Sequence, residues 1–303
     1  MHITIIGLGE TGVTIGALLN QQVKNSYVHV LDTDEQVQGR FLDLQHAAAY
    51  ANNVISLNDF KNVGLSDYVF YCAGFRNTKL DDRLSVAKKN KALINTIFTQ
   101  FKLKKTCKII VLTNPVELIT EWLSEYFDHE LTVVGTGTDL DTYRFKFLIS
   151  DHLGFQPKHI AINVVGEHGE DMVTHLSQGK INEKPVEHFL STEEIEKLIQ
   201  ELKNSATTIR KTEEATKFGV AQCAVAIMKS FESETPQSHV LSLAMNDNWK
   251  KELGLKEDIF FSQPCSVSYR GVKIDDSFSF THLEKKQLVH ASQKIAKADQ
   301  ENR

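Results

Sequence analysis

One acid, one guanidinium and one imidazole near the middle of the chain could together bind an anion and move a proton. Asp141 and Arg144 lie three positions apart, so on a helix they share a face. His168 lies between two glycines after the apolar run 160–165, where a strand should stop and the backbone can approach a ligand. Beside a nicotinamide, these three side chains would make a hydride-transfer site. The alternative for Asp141 and Arg144 is a surface ion pair worth ~0.2–0.5 kcal/mol.

The first 32 residues carry the pattern of a dinucleotide-binding unit: an apolar strand, a glycine-rich turn, a helix and a second strand that ends at Asp32. In this context Gly7 permits the tight turn, Gly9 lets the backbone approach a pyrophosphate, and Gly12 lets the helix pack on the strand. Asp32 would accept hydrogen bonds from the ribose hydroxyls and repel a 2′-phosphate, which favours NAD over NADP. The alternative is a glycine turn without a ligand.

The order of apolar segments predicts the elements that must position these residues. Strands alternate with helices up to about residue 138, which predicts an α/β fold with a doubly wound parallel sheet. The second half mixes helices and strands without that alternation, which predicts a smaller α+β substrate domain. We therefore predict an NAD-binding domain over residues 1–138 and a substrate domain over 139–303. Asn114 is predicted to cap a helix that begins at Pro115, and residues 299–303 are expected to be frayed.

Composition limits the classes of partner. The chain has 303 residues, 41% hydrophobic and 24% charged, which is ordinary for a soluble globular protein. A formal charge of -5 without a basic block argues against nucleic acid and anionic membranes as partners. The four cysteines lie far apart, so neither a metal site nor a disulfide framework is expected. The strand that follows Met1 leaves no room for a signal peptide, and a cytoplasmic location is expected.

With these residues in view, the chain resembles the lactate/malate dehydrogenase family along nearly its whole length. The resemblance rests on several ordered motifs: the glycine-rich turn with Asp32, Cys72-Ala73-Gly74, Arg83 with Asn90, Thr113-Asn114-Pro115-Val116, the segment 135–145 with Asp141 and Arg144, and Gly166-Glu167-His168-Gly169. It implies a reversible hydride transfer between NAD and a 2-hydroxy acid/2-oxo acid pair, in a homodimer or homotetramer.

The resemblance also implies roles for single residues. His168 would donate and accept the proton at the substrate oxygen, and Asp141 would hold its other ring nitrogen. Arg144 would bind the substrate carboxylate bidentately. Arg83 would polarise the substrate carbonyl when its loop closes. Asn114 would bind near both substrate and nicotinamide.

Four further positions complete the expected site. Gly74 and Asn90 would lie against the cofactor, and Thr216 would line the pocket for the substrate side chain. Asn77 stands where related lactate enzymes carry Gln and malate enzymes carry Arg. A neutral, short Asn77 offers no counter-charge for a second carboxylate, which favours pyruvate or a larger apolar 2-oxo acid over oxaloacetate.

Other interpretations remain open at this stage. A malate dehydrogenase stays possible if Arg76 takes the specificity position by a shift of one residue. An NAD-dependent glycosidase would need a Cys/His metal pair, and neither Cys72 nor Cys107 has a fitting neighbour. A non-catalytic NAD sensor would have kept the fold without the chemistry.

Overall fold

A computed structural model describes residues 1–75, 83–213, 215–256 and 258–302. Asn77 lies outside the described residues. Arg83 is described as the first residue of a helix, but its side chain is not.

Six parallel strands in the first half form the doubly wound sheet that the alternation predicts, which confirms the fold class. Their spatial order is β3-β2-β1-β4-β5-β6, so the order reverses between β1 and β4. The strands are β1 (His2–Ile6), β2 (Tyr27–Leu31), β3 (Val54–Leu57), β4 (Tyr68–Tyr71), β5 (Lys108–Val111) and β6 (Thr132–Gly135). The helices between them are α1 (Glu10–Gln22), α2 (Gln38–Ala48), α3 (Phe60–Val63), α4 (Arg83–Phe98) and α5 (Val116–Tyr126).

Burial on both faces explains why these strands are almost continuously apolar. In β4, Val69 and Tyr71 point into one hydrophobic cluster, whereas Tyr68 and Phe70 point into the cluster on the opposite face. This alternation follows from the period of two along a strand. The sheet is therefore covered on both sides, and its carboxyl edge is where loops can form a ligand site.

The second half adds helices and antiparallel strands. Its first part contains α6 (Asp139–Leu153), β7 (Ile160–Ala161), β8 (Val164–Val165), β9 (Val173–Thr174), β10 (Lys180–Ile181), β11 (Lys184–Pro185) and α7 (Thr192–Ile209). The remainder contains α8 (Phe218–Ser230), β12 (Gln237–Ala244), α9 (Asp247–Leu253), β13 (Phe260–Ser268), β14 (Gly271–Ile274) and α10 (His282–Asn302). Strands β12, β13 and β14 extend the main sheet beyond β6, so the sheet continues across the proposed division at residue 138.

Two local predictions need correction, and one helix was not predicted. The helix expected to begin at Pro115 begins at Val116, and Pro115 itself has an extended ψ of 116°. Asn114 therefore does not cap this helix. The tail expected to be frayed is helical to Asn302, and the indole N–H of Trp122 donates to Asp299 at 2.9 Å. Helix α9 was missed because it has only 7 residues.

No helix in the described parts of the chain is both long enough and apolar enough to cross a bilayer.

Candidate active site

Asp141 joins the two other residues that the sequence singles out. It lies in the first turn of α6, where the partial positive charge of the helix N-terminus favours a carboxylate. Its Oδ2 accepts a hydrogen bond from Nδ1 of His168 at 2.7 Å, and its Oδ1 accepts one from Nη1 of Arg144 at 3.0 Å. Asp141 is 1% exposed, whereas 26% of the His168 side chain and 16% of the Arg144 side chain reach solvent. The acid is thus hidden, and its two partners are open to a small ligand.

The electrostatics of this group favour a protonated imidazole. Burial alone would lower the pKa of His168, but the charge of Asp141, its hydrogen bond and the charge of Glu117 outweigh burial and raise it to about 9. Burial would likewise raise the pKa of Asp141, but His168 and Arg144 hold it below its usual value. At neutral pH the group therefore carries an imidazolium that can give a proton to a bound oxygen.

Glu117 is a member of this group that the sequence reasoning missed. It is 2% exposed in the first turn of α5, and its Oε1 accepts the backbone N–H of His168 at 2.8 Å. Burial raises the pKa of Glu117 to about 7, against the opposing effect of the charge on His168. The available signal was its position directly after Asn114-Pro115-Val116, but an acid at that point equally fits a solvent-facing residue that complements the helix dipole.

A second buried network, also missed, fixes the start of α6. Asp139 is 2% exposed and accepts hydrogen bonds from Nδ1 of His239 at 3.0 Å and from the Val240 N–H at 2.9 Å. The Cys223 thiol lies 3.4 Å from the same carboxylate, and Nε2 of His239 lies 2.8 Å from the hydroxyl oxygen of Ser230. The network ties α6 to α8 and β12. It thereby restrains the helix that carries the Asp141–Arg144 pair.

The glycine-rich turn has the geometry that a dinucleotide needs. Gly7 has a φ of +94°, and a Cβ there would lie 2.7 Å from the backbone nitrogen of Ala73. A Cβ at Gly12 would lie 2.0 Å from the carbonyl oxygen of Gly7, whereas one at Gly9 would meet no heavy atom within 4 Å. Two positions therefore require glycine for close packing, and the third leaves open space for a pyrophosphate.

Asp32 lies at the end of β2, beside this turn. Its Oδ2 accepts the Leu8 N–H at 2.6 Å, and its Oδ1 accepts the Asp34 N–H at 2.9 Å. These bonds hold the carboxylate at the carboxyl edge of the sheet, next to the point where the strand order reverses. The residues present therefore fit NAD, with Asp32 placed for the ribose hydroxyls.

The segments that follow β4 and β5 contact each other at the carboxyl edge of the sheet. A Cβ at Gly74 would lie 2.4 Å from Cγ2 of Thr113, so close packing requires glycine there. Asn90 is 1% exposed, and its Oδ1 accepts the Phe75 N–H at 2.7 Å. Its amide thus holds the backbone just after β4. The contact of Asn90 with the cofactor stays a prediction. Asn114 is exposed at the end of β5.

Two other predicted residues are not joined to the acid–base group. Thr216 is partly buried two residues before α8. Within the described residues, no hydrogen bond or ion pair links Thr216 to Asp141, Arg144 or His168. Because the side chain of Arg83 is not described, its contact with substrate also remains a prediction.

The raised pKa of His168 predicts the pH profile. Its ordinary value is 6.5, and the folded value of about 9 lies above it, so the imidazolium persists to higher pH. We expect kcat/KM for reduction of a 2-oxo acid, at saturating NADH, to be constant through neutral pH and to fall about tenfold per pH unit above the raised pKa.

Replacing Glu117 by Gln separates the two carboxylates that act on the imidazole. The change removes one of the charges that raise the pKa of His168 and keeps an oxygen for its backbone N–H. We expect the alkaline limb to move to lower pH in this variant. A wild-type limb near the ordinary value for histidine, unmoved by Glu117→Gln, would contradict the assignment.

Comparison with known proteins gives matches along the chain. The model of the lactate/malate dehydrogenase NAD-binding domain matches residues 1–131, and that of the alpha/beta C-terminal domain matches residues 138–302. An L-lactate dehydrogenase of Bacillus velezensis is 27% identical over 282 residues, which cover 89% of this chain and 87% of that protein. L-lactate dehydrogenase 2 of Lactococcus lactis is 27% identical over 298 residues, with 94% and 93% covered.

Solved structures match over the same extent. The minor L-lactate dehydrogenase of Enterococcus mundtii superposes with a TM-score of 0.87 at 25% identity, covering 100% of this chain and 98% of that one. The malate dehydrogenase of Aeropyrum pernix gives 0.86 at 24% identity, covering 99% and 100%. At 24% identity, the likeness to the malate dehydrogenase concerns the fold alone.

Proposed function

Because the chain belongs to the lactate/malate dehydrogenase family, we propose that it is an NAD-dependent L-2-hydroxy acid dehydrogenase of the lactate type, which interconverts an L-2-hydroxy acid and its 2-oxo acid. The observation that carries this proposal is the position of Asp141, bonded to His168 on one side and to Arg144 on the other. The Asp141 carboxylate thereby holds the acid–base group, His168, close to the anion-binding group, Arg144.

The residues of this chain divide the work of the reaction. When bound beside Asp32 and the glycine-rich turn, NADH would supply the hydride that the carbonyl carbon of the 2-oxo acid accepts. The imidazolium of His168 gives its proton to the carbonyl oxygen and becomes neutral, and the reverse reaction returns that proton to the ring. Arg144 binds the substrate carboxylate through two parallel hydrogen bonds and so fixes which face of the carbonyl meets the hydride. Asp141 fixes the ring orientation and stabilises the imidazolium.

We propose pyruvate, or a 2-oxo acid with a larger apolar side chain, as the substrate. Asn77 supports this choice at the sequence level, because a neutral amide offers no counter-charge for the second carboxylate of oxaloacetate. The curated relatives described above are L-lactate dehydrogenases, and malate is the less favoured alternative. Thr216 and Arg83 are proposed to complete the substrate pocket, as the family resemblance implies.

The experiment that tests the function is NADH oxidation with a panel of pyruvate, oxaloacetate, 2-oxobutyrate, 2-oxoisocaproate and phenylpyruvate. We expect turnover with a monocarboxylic 2-oxo acid, little with oxaloacetate, and a preference for NADH over NADPH because Asp32 repels a 2′-phosphate. Binding of NADH without turnover of any of these acids would indicate a non-catalytic NAD sensor. Preference for oxaloacetate would establish the malate alternative.

Three structural assignments belong to the same proposal. We propose residues 1–138 as the NAD-binding domain and residues 139–303 as the substrate domain. The protein is also proposed to form a homodimer or homotetramer, as the resemblance implies. Sedimentation of the purified protein distinguishes these two states, and a monomer at assay concentration would contradict both.

A further inference from the structure

Glu10 is bound by two cations that come from different elements. Its Oε1 lies 2.8 Å from Nη2 of Arg40, which belongs to α2, and its Oε2 lies 3.4 Å from Nζ of Lys217, which directly precedes α8. The side chain of Glu10 is 20% exposed, that of Lys217 24% and that of Arg40 43%. We call these three residues the Glu10 cluster. Neither cation has a role in the reaction described above.

The Glu10 cluster lies at the expected place of the cofactor phosphates. Glu10 follows Gly9 and is the first residue of α1. The first amides of a helix lack partners within the helix and carry partial positive charge, so they attract anions. Arg40 also reaches the turn itself, because its Nη1 donates to the carbonyl oxygen of Leu8 at 3.4 Å. The Glu10 carboxylate pairs with Arg40 and Lys217 at this end of α1, where a pyrophosphate could use the same two cations.

We propose that Glu10 pairs with Arg40 and Lys217 only until the cofactor binds, and that the two cations then bind the pyrophosphate of NAD(H) instead. This inference rests on the proposed function for the presence of NAD. Two anions at one helix end repel each other, whereas either one alone can be neutralised by Arg40 and Lys217. Glu10 therefore competes with the cofactor and sets its affinity.

The same cluster connects the two ends of the proposed site. Lys217 directly follows Thr216, the residue proposed for the substrate pocket, and it also pairs with Glu213 at 3.1 Å. When the pyrophosphate displaces Glu10, Lys217 would bind the phosphates next to Thr216 in the sequence, so one segment would serve both the cofactor and the proposed substrate pocket.

The competing explanation is a surface ion-pair network that only links α1, α2 and α8. Partly exposed ion pairs contribute little to stability, so variants of the Glu10 cluster should fold. The two explanations differ in the sign of the effect of Glu10→Gln on the binding of NADH. A purely structural network predicts unchanged or weaker binding, whereas competition predicts tighter binding.

The first experiment is a titration of the enzyme with NADH in the absence of any 2-oxo acid, with fluorescence as the measure of binding. Glu10→Gln is expected to lower the Kd for NADH, and for ADP-ribose as a competitor, by about three- to tenfold. Adenosine, which has no phosphate, should bind equally to both proteins. Glu252→Gln is the matched control, because Glu252 in α9 pairs with Lys285 at 2.8 Å and has no contact with the Glu10 cluster, and it should change the Kd by less than about twofold.

The second experiment asks where the cations act. In the Glu10→Gln background, Lys217→Ala and Arg40→Ala should each abolish most of the gain for NADH and ADP-ribose, because each removes a phosphate ligand. If either change has no effect in that background, the cations only neutralise Glu10 and the proposal fails. It fails equally if Glu10→Gln leaves the Kd for NADH unchanged while the wild type binds NADH. Absence of NADH binding by the wild type would overturn the proposed function as well.

Discussion

Replacing His168 by Gln is expected to lower kcat for 2-oxo acid reduction by about three orders of magnitude, with NADH binding nearly unchanged. Glutamine can hydrogen-bond to the carbonyl oxygen but cannot give it a proton. The buried Asp141 would also lose the imidazolium that accounts for much of its stabilisation. Steady-state kinetics together with an NADH titration measure both quantities on the same protein.

The matched control for this change is His188→Gln. His188 is exposed between β11 and α7, and its ring contacts that of Phe189. We expect kcat to stay within about twofold of the wild type in this control. If His168→Gln retained more than about a tenth of the wild-type kcat, the proton would have to come from another group, and the assignment would be wrong.

Replacing Arg144 by Lys is expected to lower kcat/KM for the 2-oxo acid by about two to three orders of magnitude. A lysine ammonium keeps the positive charge but cannot form the two parallel hydrogen bonds of a guanidinium with a carboxylate. Because the charge remains beside Asp141, the alkaline limb of the pH profile should not move. Loss of substrate affinity without a shift of that limb would separate anion binding from the acid–base step.

The control for Arg144→Lys is Arg210→Lys on the exposed surface at the end of α7, where the side chain bonds to the carbonyl oxygen of Ala206. Its kcat/KM should match the wild type. A loss of less than about tenfold in Arg144→Lys would mean that another residue binds the substrate carboxylate.

Local signals were enough to predict the first unit of the sheet and the contact between Asp141 and Arg144, whereas the pairing of Asp141 with His168 was implied by the family resemblance. In residues 1–32 the apolar run, the glycines and the terminal acid each depend on near neighbours, and each has one favoured interpretation. Asp141 and Arg144 are three apart on one helix, so their contact also follows from the sequence alone. The fold class follows from the alternation of strands and helices.

Contacts between distant residues could not be predicted in this way. Glu117 meets the backbone of His168 across 51 positions, and Asp139 meets His239 across 100. Each of these acids lies in the first turn of a helix, where a charge usually complements the helix dipole and faces solvent. Only the tertiary packing of α5 and α6 shows that both are buried.

The failed predictions have equally physical causes. Pro115 fits the first helical position by its φ, but its extended ψ of 116° leaves it outside the helix. The polar composition of the last residues indicates solvent, but α10 turns Asp299 toward the indole of Trp122. In both cases, a tertiary contact or a single torsion overrides the local preference.

The sharing of Asp141 by His168 and Arg144 also makes two binding events cooperative. The carboxylate of Asp141 stabilises both the imidazolium of His168 and the guanidinium of Arg144. When His168 is protonated, the three side chains together carry a net positive charge, which attracts the incoming substrate carboxylate. By thermodynamic reciprocity, the oxo acid then raises the affinity of His168 for its proton as much as that proton raises the affinity for the oxo acid. The enzyme therefore takes up a proton and its oxo acid as a linked pair and releases the hydroxy acid from the deprotonated state.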